Sequence, residues 1–424
     1  MATTSRWARH RLDGVLNFQD ARKAARRRLP KSIFEYVDGG AEDEVTLGWN
    51  RQAFRDISFV PRGAVWVPDP VLATTVLGVP VSMPVMTAPC GGMRLIHPDG
   101  DLGIAAAASD AGTAHVATSA SGYSLEDIAK TPGPQFFQAY RFSNEEAMKS
   151  LVRRAQKAGY AGLVATIDTS VGGNREKDFR NGFSYNMRIN LQNVTKMAPR
   201  VIGRPGWAYR FTRDGMPFVL PNTADITSDG KPMELSALTR AGKDSHSPNW
   251  ADITWMRANW DGPLVVKGVL TVEDAKRARA IGADGIIISN HGGRQLDGAP
   301  ATMRVLPQIA DAVGGDLEII LDSGVRRGTD VLKALSLGAK AVLIGRYPAY
   351  GLAIAGQAGV EHVLEQMRTE LVRAMRLLGC TSIHELDRTW VTDALTPQLP
   401  DAGRAAAGAE ADRAAALEEK VLLQ

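Results

Sequence analysis

Eight short apolar runs, most of them separated by a helical pattern, constrain this chain more than any other feature. They lie at Met83–Ala88, Ala114–Thr118, Gln135–Tyr140, Gly162–Asp168, Leu264–Lys267, Gly285–Ser289, Glu318–Asp322 and Ala341–Gly345. A strand with one wet face alternates apolar and polar residues. These runs (VMTA, LVVK, IIIS, VLIG and the rest) are apolar almost throughout, so both faces are covered, as in a parallel sheet. Helical patterns fall between them, for example at Asp101–Ala111, Asn144–Ala158, Val272–Ile281 and Thr329–Leu337. Eight strands alternating with helices predict an α/β fold closed as a (β/α)8, or TIM, barrel rather than an open sheet. The 424 residues are 44% hydrophobic and 23% charged, enough to bury a large core and unlike a disordered chain.

The alternation breaks once. Between the fourth run and the fifth, roughly residues 177–250, lies an insertion rich in Gly, Pro, Asn and Thr with weak periodicity. Part of it, Asn193–Asn222, mixes Lys196, Arg200, Arg204, Arg210 and Arg213 with Trp207, Tyr209, Phe211 and Phe218. Such a stretch suits an anionic membrane surface, and equally an oligomer contact or an active-site lid. Before the barrel, Phe18–Val37 reads as a helical region with a basic run at Arg22–Arg28. After it, Ala358–Leu378 reads as a helical pair. The chain is thus expected to form one unit over residues 1–400, with a tail at 401–424.

Several function classes fall away. A net charge of +4 with no recognisable motif does not call for nucleic acid. Two cysteines, Cys90 and Cys380, exclude a disulfide framework and favour a reducing, cytoplasmic setting. No CxxC or HExxH is present, so no metal is expected. The first residues lack the apolar core of a secretory signal, and no run is long enough to cross a membrane.

Reactive groups in parallel barrels gather at the C-terminal ends of the strands. Here every such end is polar or glycine-rich. In order they carry Pro89-Cys90-Gly91, Thr118, Gln138 with Tyr140, Thr166 with Asp168 and then Arg175, Lys267, Ser289 through Arg294, Asp322 through Arg326, and Gly345-Arg346. Glycines at the last two ends let backbone N–H groups approach an anion at a helix N-terminus. Tight turns alone would also explain them, but an arginine at both ends favours phosphate. His291, between an apolar strand and two glycines and near Arg294, suits a base that meets a carboxylate. Asp168 ends an apolar strand and needs a cation, for which an imidazolium and Arg175 are the two candidates. Lys267 needs an anionic partner for the same reason.

SNHGGRQLDG (Ser289–Gly298), DSGVRRGTDVLKALSLGAKAVLIGR (Asp322–Arg346) and LPKSIFEYVDGGAEDE (Leu29–Glu44) together resemble the FMN-dependent α-hydroxy acid oxidase and dehydrogenase family, over roughly Asn17 to Asp387. TSASGYSLEDIA and IDTSVGGNREKDFRNGF are most like its (S)-mandelate and flavin-type L-lactate dehydrogenase branches. The resemblance implies FMN as cofactor and a small 2-hydroxy acid as substrate. It implies His291 as base with Asp168 behind it, Arg175, Arg294 and Tyr36 on the substrate carboxylate, Tyr140 on the hydroxyl, and Lys267 beside the flavin. Pro89, Cys90, Gly91, Thr118, Gln138, Thr166 and Ser289 would contact the ring or ribityl chain; Asp322, Ser323, Gly324, Arg326, Gly345 and Arg346 would hold the ribityl hydroxyls and phosphate. Gly91 stands where oxidases of the family usually carry Ala, which favours a dehydrogenase with a quinone or other carrier as acceptor. Cys90 stands where many members have Thr. Ala120 replaces a bulky aromatic, implying room for a larger substrate. The family also implies a homo-oligomer, a tetramer, and in its mandelate dehydrogenase branch peripheral membrane contact through the insertion, at the inner face of the cell membrane. Two alternatives are a family member recruited to a peptide- or amine-derived intermediate in natural-product or cofactor biosynthesis, and a non-redox phosphate-binding barrel; the second leaves the company of His291, Arg294, Arg175 and Tyr140 unexplained.

Overall fold

All eight runs become strands. They are β1 Val85–Thr87, β2 His115–Thr118, β3 Gln135–Ala139, β4 Gly162–Thr166, β5 Leu264–Val269, β6 Gly285–Ile288, β7 Glu318–Leu321 and β8 Ala341–Ile344. They close a parallel (β/α)8 barrel in chain order, β8 pairing with β1. The computed structural model describes residues 10–141, 145–181, 203–216, 219–227, 230–234 and 248–397. The tail at 401–424 and much of the insertion, including Lys196, Arg200 and Phe218, lie outside the described residues.

Each strand sends one apolar side chain into the same interior cluster: Met86, Val116, Phe136, Val164, Val265, Ile287, Ile320 and Leu343. The barrel is therefore a filled core and not a pore. An antiparallel hairpin, Thr74–Val76 with Val79–Val81, adds Val76, Leu77 and Val81 to that cluster. Its Leu77 N–H donates to Glu318 Oε2 (2.7 Å) at the start of β7, which fixes the hairpin as a plug in the N-terminal end. The sequence reading did not contain this hairpin. Among the described residues the hairpin fills this end, and the cavity lies at the C-terminal one.

Before the barrel lie α1 Phe18–Arg28, α2 Lys31–Asp38 and α3 Val45–Arg55. Asn17 caps α1 by accepting from the N–H groups of Gln19 and Asp20. The helical region expected over Phe18–Val37 is present and consists of two helices. Pro30 forces Leu29 into extended backbone and breaks the ladder there. Another helix, α4 Pro205–Arg213, lies in the described part of the insertion. Past β8, α5 Arg346–Ala355 and α6 Gln357–Leu378 follow one another. The helical pair expected within Ala358–Leu378 is corrected to one long helix. The break lies earlier, at Gly356, whose φ of +63° and contact with Asp99 admit no side chain.

Candidate active site

The open end of the barrel holds a cavity of about 620 Å³. Its wall includes Tyr36, Pro89, Cys90, Gly91, Tyr140, Arg175, Lys267, His291, Arg294, Asp322, Ser323, Gly324, Arg326, Gly345 and Arg346. Five residues expected at the site, Thr118, Gln138, Thr166, Asp168 and Ser289, do not reach that wall. Asp168 is part-buried beside His291, and the other four are buried: Gln138 Nε2 donates to Thr166 Oγ1 (2.6 Å), and Ser289 Oγ accepts from Lys267 Nζ (2.8 Å). Gln138 Oε1 is buried and finds no hydrogen-bond donor.

His291 sits in the left-handed region, φ +58°, as does Ser323 at +73°. Non-glycine residues persist there only where their surroundings hold them, and such strain clusters at functional sites. The hold is visible. The N–H of His291 donates to Ser289 Oγ (3.0 Å), that of Gly292 to Ser323 Oγ (2.9 Å), and that of Gly293 to Asn290 Oδ1 (3.1 Å). Asn290 in turn exchanges hydrogen bonds with buried Asn50 of α3. The imidazole is thereby aimed, and its Nδ1 lies 3.2 Å from both oxygens of Asp168. Asp168 can stand so close to β5 because Gly268, at φ +100°, offers no Cβ; one built there would lie 2.8 Å from Asp168 Cβ.

Burial pushes the Asp168 carboxyl up, but His291 and then Lys267 outweigh it and hold it below the ordinary carboxylate range. Of the two cations considered for Asp168, the structure gives it the imidazole and not Arg175. Burial would push Lys267 down, yet Asp322, Asp168 and Tyr140 hold it above its ordinary value. Its Nζ lies 3.3 Å from Asp322 Oδ2, so the protein itself supplies an anionic partner. Burial raises the Tyr140 hydroxyl, and it raises the Cys90 thiol to about 11.

Arg175 and Arg294 come together over one ring. Their guanidinium carbons lie 5.8 and 5.2 Å from the centroid of Tyr36, whose hydroxyl donates to Gly91 O (3.0 Å). Arg294 Nη1 donates to the carbonyls of Tyr36 (2.6 Å) and Gly39 (3.1 Å). The Gly39 carbonyl also accepts from Arg346 Nη2 (2.9 Å), so the segment after α2 is strapped across the mouth by two cations from two strand ends. Asp178 escaped the sequence reading. It is 3% exposed, lines the cavity, and forms an ion pair with Arg175 Nε at 3.3 Å. Its signal lay in the same stretch as Arg175, three residues on, but a carboxylate in a carboxylate-binding pocket runs against charge complementarity. Burial keeps its pKa raised even though Arg175 and Arg294 act to lower it.

A second cationic group faces the cavity from β7 and β8. Arg326 is pushed down to about 9, by burial and then by the nearby Arg346, and its Nε is buried without an acceptor. Two mutually repelling buried guanidiniums with an unmet donor fit an anion such as a phosphate monoester. Gly324 lines the same cavity beside them, at φ +104° and packed so close to the Asn50 carbonyl (2.5 Å from a built Cβ) that no side chain fits.

The sequence profile described as FMN-dependent dehydrogenase matches residues 25–393. Glycolate oxidase 5 of Oryza sativa subsp. japonica is 40% identical over 378 residues, covering 89% of this chain and 95% of its own. Pre-mycofactocin synthase of Mycolicibacterium smegmatis (strain ATCC 700084 / mc(2)155) is 38% identical over 369 residues, covering 86% and 91%. The crystal structure of monotopic membrane protein (S)-mandelate dehydrogenase superposes with a TM-score of 0.83 at 39% identity, over 90% of this chain and 100% of that one.

Proposed function

Because the chain belongs to the FMN-dependent dehydrogenase family and is similar to a glycolate oxidase and to (S)-mandelate dehydrogenase, we propose that it oxidises an (S)-2-hydroxy acid of mandelate- or lactate-like size to the 2-oxo acid. The reading is carried by one arrangement: an imidazole backed by a carboxylate, in the same cavity as two arginines brought together on one tyrosine.

Arg326, Arg346 and the backbone around Gly324 and Gly345 would hold the FMN phosphate, Asp322 and Ser323 the ribityl hydroxyls, and Lys267 the edge of the ring. Gly91, Cys90, Pro89, Thr118, Gln138, Thr166 and Ser289 would complete the ring's surroundings. Bound there, FMN supplies the two-electron acceptor. Everything else falls to the chain. Arg175 and Arg294 grip the substrate carboxylate, a forked task to which lysine is less suited, with Tyr36 between them. Tyr140, kept protonated by burial, donates to the substrate oxygen. With Nδ1 facing Asp168, His291 offers Nε2 to the substrate proton, and Asp168 stabilises the imidazolium that results.

Two features support a bulkier acid and an acceptor other than oxygen. Ala120 lines the cavity with only a methyl group, leaving space for a phenyl-sized side chain. Gly91 faces it: a Cβ there would stand 3.2 Å from Ala120 Cβ. We further propose a dehydrogenase using a quinone or similar carrier; the family resemblance supports membrane contact through the insertion and assembly as a homotetramer. Among the described residues no helix is long and apolar enough to cross a membrane, so contact would be at the surface.

Anaerobic mixing of the FMN-loaded protein with (S)-mandelate and L-lactate tests the proposal. Bleaching of the flavin by either acid is expected, and His291→Ala should keep the yellow colour and lose the bleaching. Bleaching that survives in His291→Ala removes the base assignment, and bleaching by no 2-hydroxy acid removes the substrate class. The likeness to pre-mycofactocin synthase favours a second reading, oxidation of a peptide- or amine-derived intermediate, which would leave Arg175 and Arg294 without a carboxylate to grip.

A further inference from the structure

The two arginines placed on the cofactor phosphate are held in opposite ways. Arg346 gives donors to the protein: Nε donates to Val37 O (3.1 Å), and Nη2 to the carbonyls of Gly39 and Gly292 (both 2.9 Å). Arg326 is held by its face. Its guanidinium carbon lies 4.0 Å from the centroid of the Phe18 ring, and its Nε is buried without an acceptor. A guanidinium stacked on a ring keeps its N–H fork in the plane, free for a forked acceptor such as a phosphate. The negative face of the ring also attracts the charge that burial disfavours.

The place of that ring is built from the sequence upward. Phe18 is the first residue of α1 and directly follows Asn17, whose cap fixes the first turn and so the point where the ring leaves the backbone. The ring is 4% exposed and meets Tyr347 and Tyr350 edge to face, at centroid distances of 5.3 and 5.4 Å. Both tyrosines belong to α5, the helix that Arg346 begins. Tyr350 is pinned in turn: its hydroxyl donates to Asp38 Oδ1, which also accepts from Arg22 Nε of α1 (2.6 Å). One aromatic cluster thus joins α1 and α5 to Arg326, beyond the end of β7. An arginine that grips a ligand loses side-chain freedom; one already stacked has lost it beforehand.

We propose that Phe18 is a positioning residue for the FMN phosphate: its ring holds Arg326 flat with the N–H fork free, so that a helix outside the barrel sets how tightly the phosphate is held. This rests on the phosphate reading above and extends it to a side chain that is not part of the cavity wall.

The test compares FMN with riboflavin, which has the same ring and ribityl chain without the phosphate. The full chain, freed of flavin, is titrated with each in a calorimeter, so no turnover is needed. Phe18→Leu keeps an apolar side chain in the core and removes the aromatic face. Ordering one released side chain at binding corresponds to about 2- to 12-fold in affinity. Phe18→Leu should therefore bind FMN about that much more weakly and riboflavin as the parent does. Phe18→Tyr keeps the face and should restore the preference for FMN. Arg326→Gln should also weaken FMN and spare riboflavin. An equal loss for both flavins in Phe18→Leu, or a loss for neither, overturns the proposal, because the ring then serves only the core. If Arg326→Gln weakens FMN and Phe18→Leu does not, the phosphate reading stands and the role of Phe18 goes. If Arg326→Gln binds FMN like the parent, the phosphate reading fails and takes this proposal with it.

Discussion

Asp168→Asn isolates the electrostatic part of the proposed proton transfer. The amide keeps the shape and can still accept from His291 Nδ1, while the negative charge 3.2 Å away disappears. At that distance, with an effective dielectric of about 20, the charge–charge attraction is about 5 kcal/mol, which sets a ceiling. A hydrogen bond to a charged group is worth about 1.5–3 kcal/mol net, and the neutral bond left behind recovers part of it. The wild-type carboxylate is ionised in the folded state, held below its ordinary value by His291 and Lys267 against burial, so the substitution removes a charge that is present. In the proposed reaction His291 takes the substrate proton as the bond to it breaks, so the loss falls on the transition state. At about 1.4 kcal/mol per decade, flavin reduction at saturating substrate should slow by about 10- to 160-fold. Arg175 and Arg294 are untouched, so KM should stay within about threefold. Stopped-flow absorbance during anaerobic reduction measures both. A variant that reduces at the wild-type rate, or that loses only affinity, would refute the role given to Asp168.

Two further outcomes follow from buried carboxyls. Asp101 is 1% exposed, accepts from Ser121 Oγ at 2.7 Å, and is raised by burial to about 6. Its folded pKa lies above the unfolded one, so between about pH 4 and 6 the folded chain binds more protons and stability falls as pH rises, by about 3 kcal/mol in all. Asp101→Asn should therefore gain on the wild type in urea unfolding as pH goes from 4 to 7, and a difference that does not change with pH would contradict this. Asp178→Asn should leave saturated flavin reduction nearly unchanged while raising KM about tenfold, because Arg175 loses the carboxylate that orients it; an unaltered KM would mean that Arg175 is aimed by other contacts.

The barrel was legible because burial on both faces writes itself into a strand as unbroken apolar sequence. Strand ends shifted by no more than two residues, and at Tyr140, Asp168, Ser289 and Asp322 the polar residue that closes the run is one that has left the sheet. The residues on the cavity wall were legible as strand-end chemistry combined with family motifs. What stayed hidden depends on contacts between distant segments. Nothing in Gly39 announces a carbonyl shared by Arg294 and Arg346, and nothing in Thr74–Val81 announces a plug, because both are defined by partners hundreds of residues away. Asn50 and Asn290 look like ordinary polar residues until they are seen locked to each other beneath His291. The single α6 was misread because helix breaks follow backbone conformation, here at Gly356, more than apolar periodicity.

The hairpin sealed beneath the barrel has a kinetic consequence. With the floor shut by Val76, Leu77 and Val81, one doorway serves every visitor. In the proposed reaction the acid that delivers electrons and the acceptor that collects them would share it, the first leaving as keto product before the second comes in. Turnover then alternates between two half-reactions, and parallel lines in an initial-velocity plot are its signature; intersecting lines would reveal a separate exit for electrons.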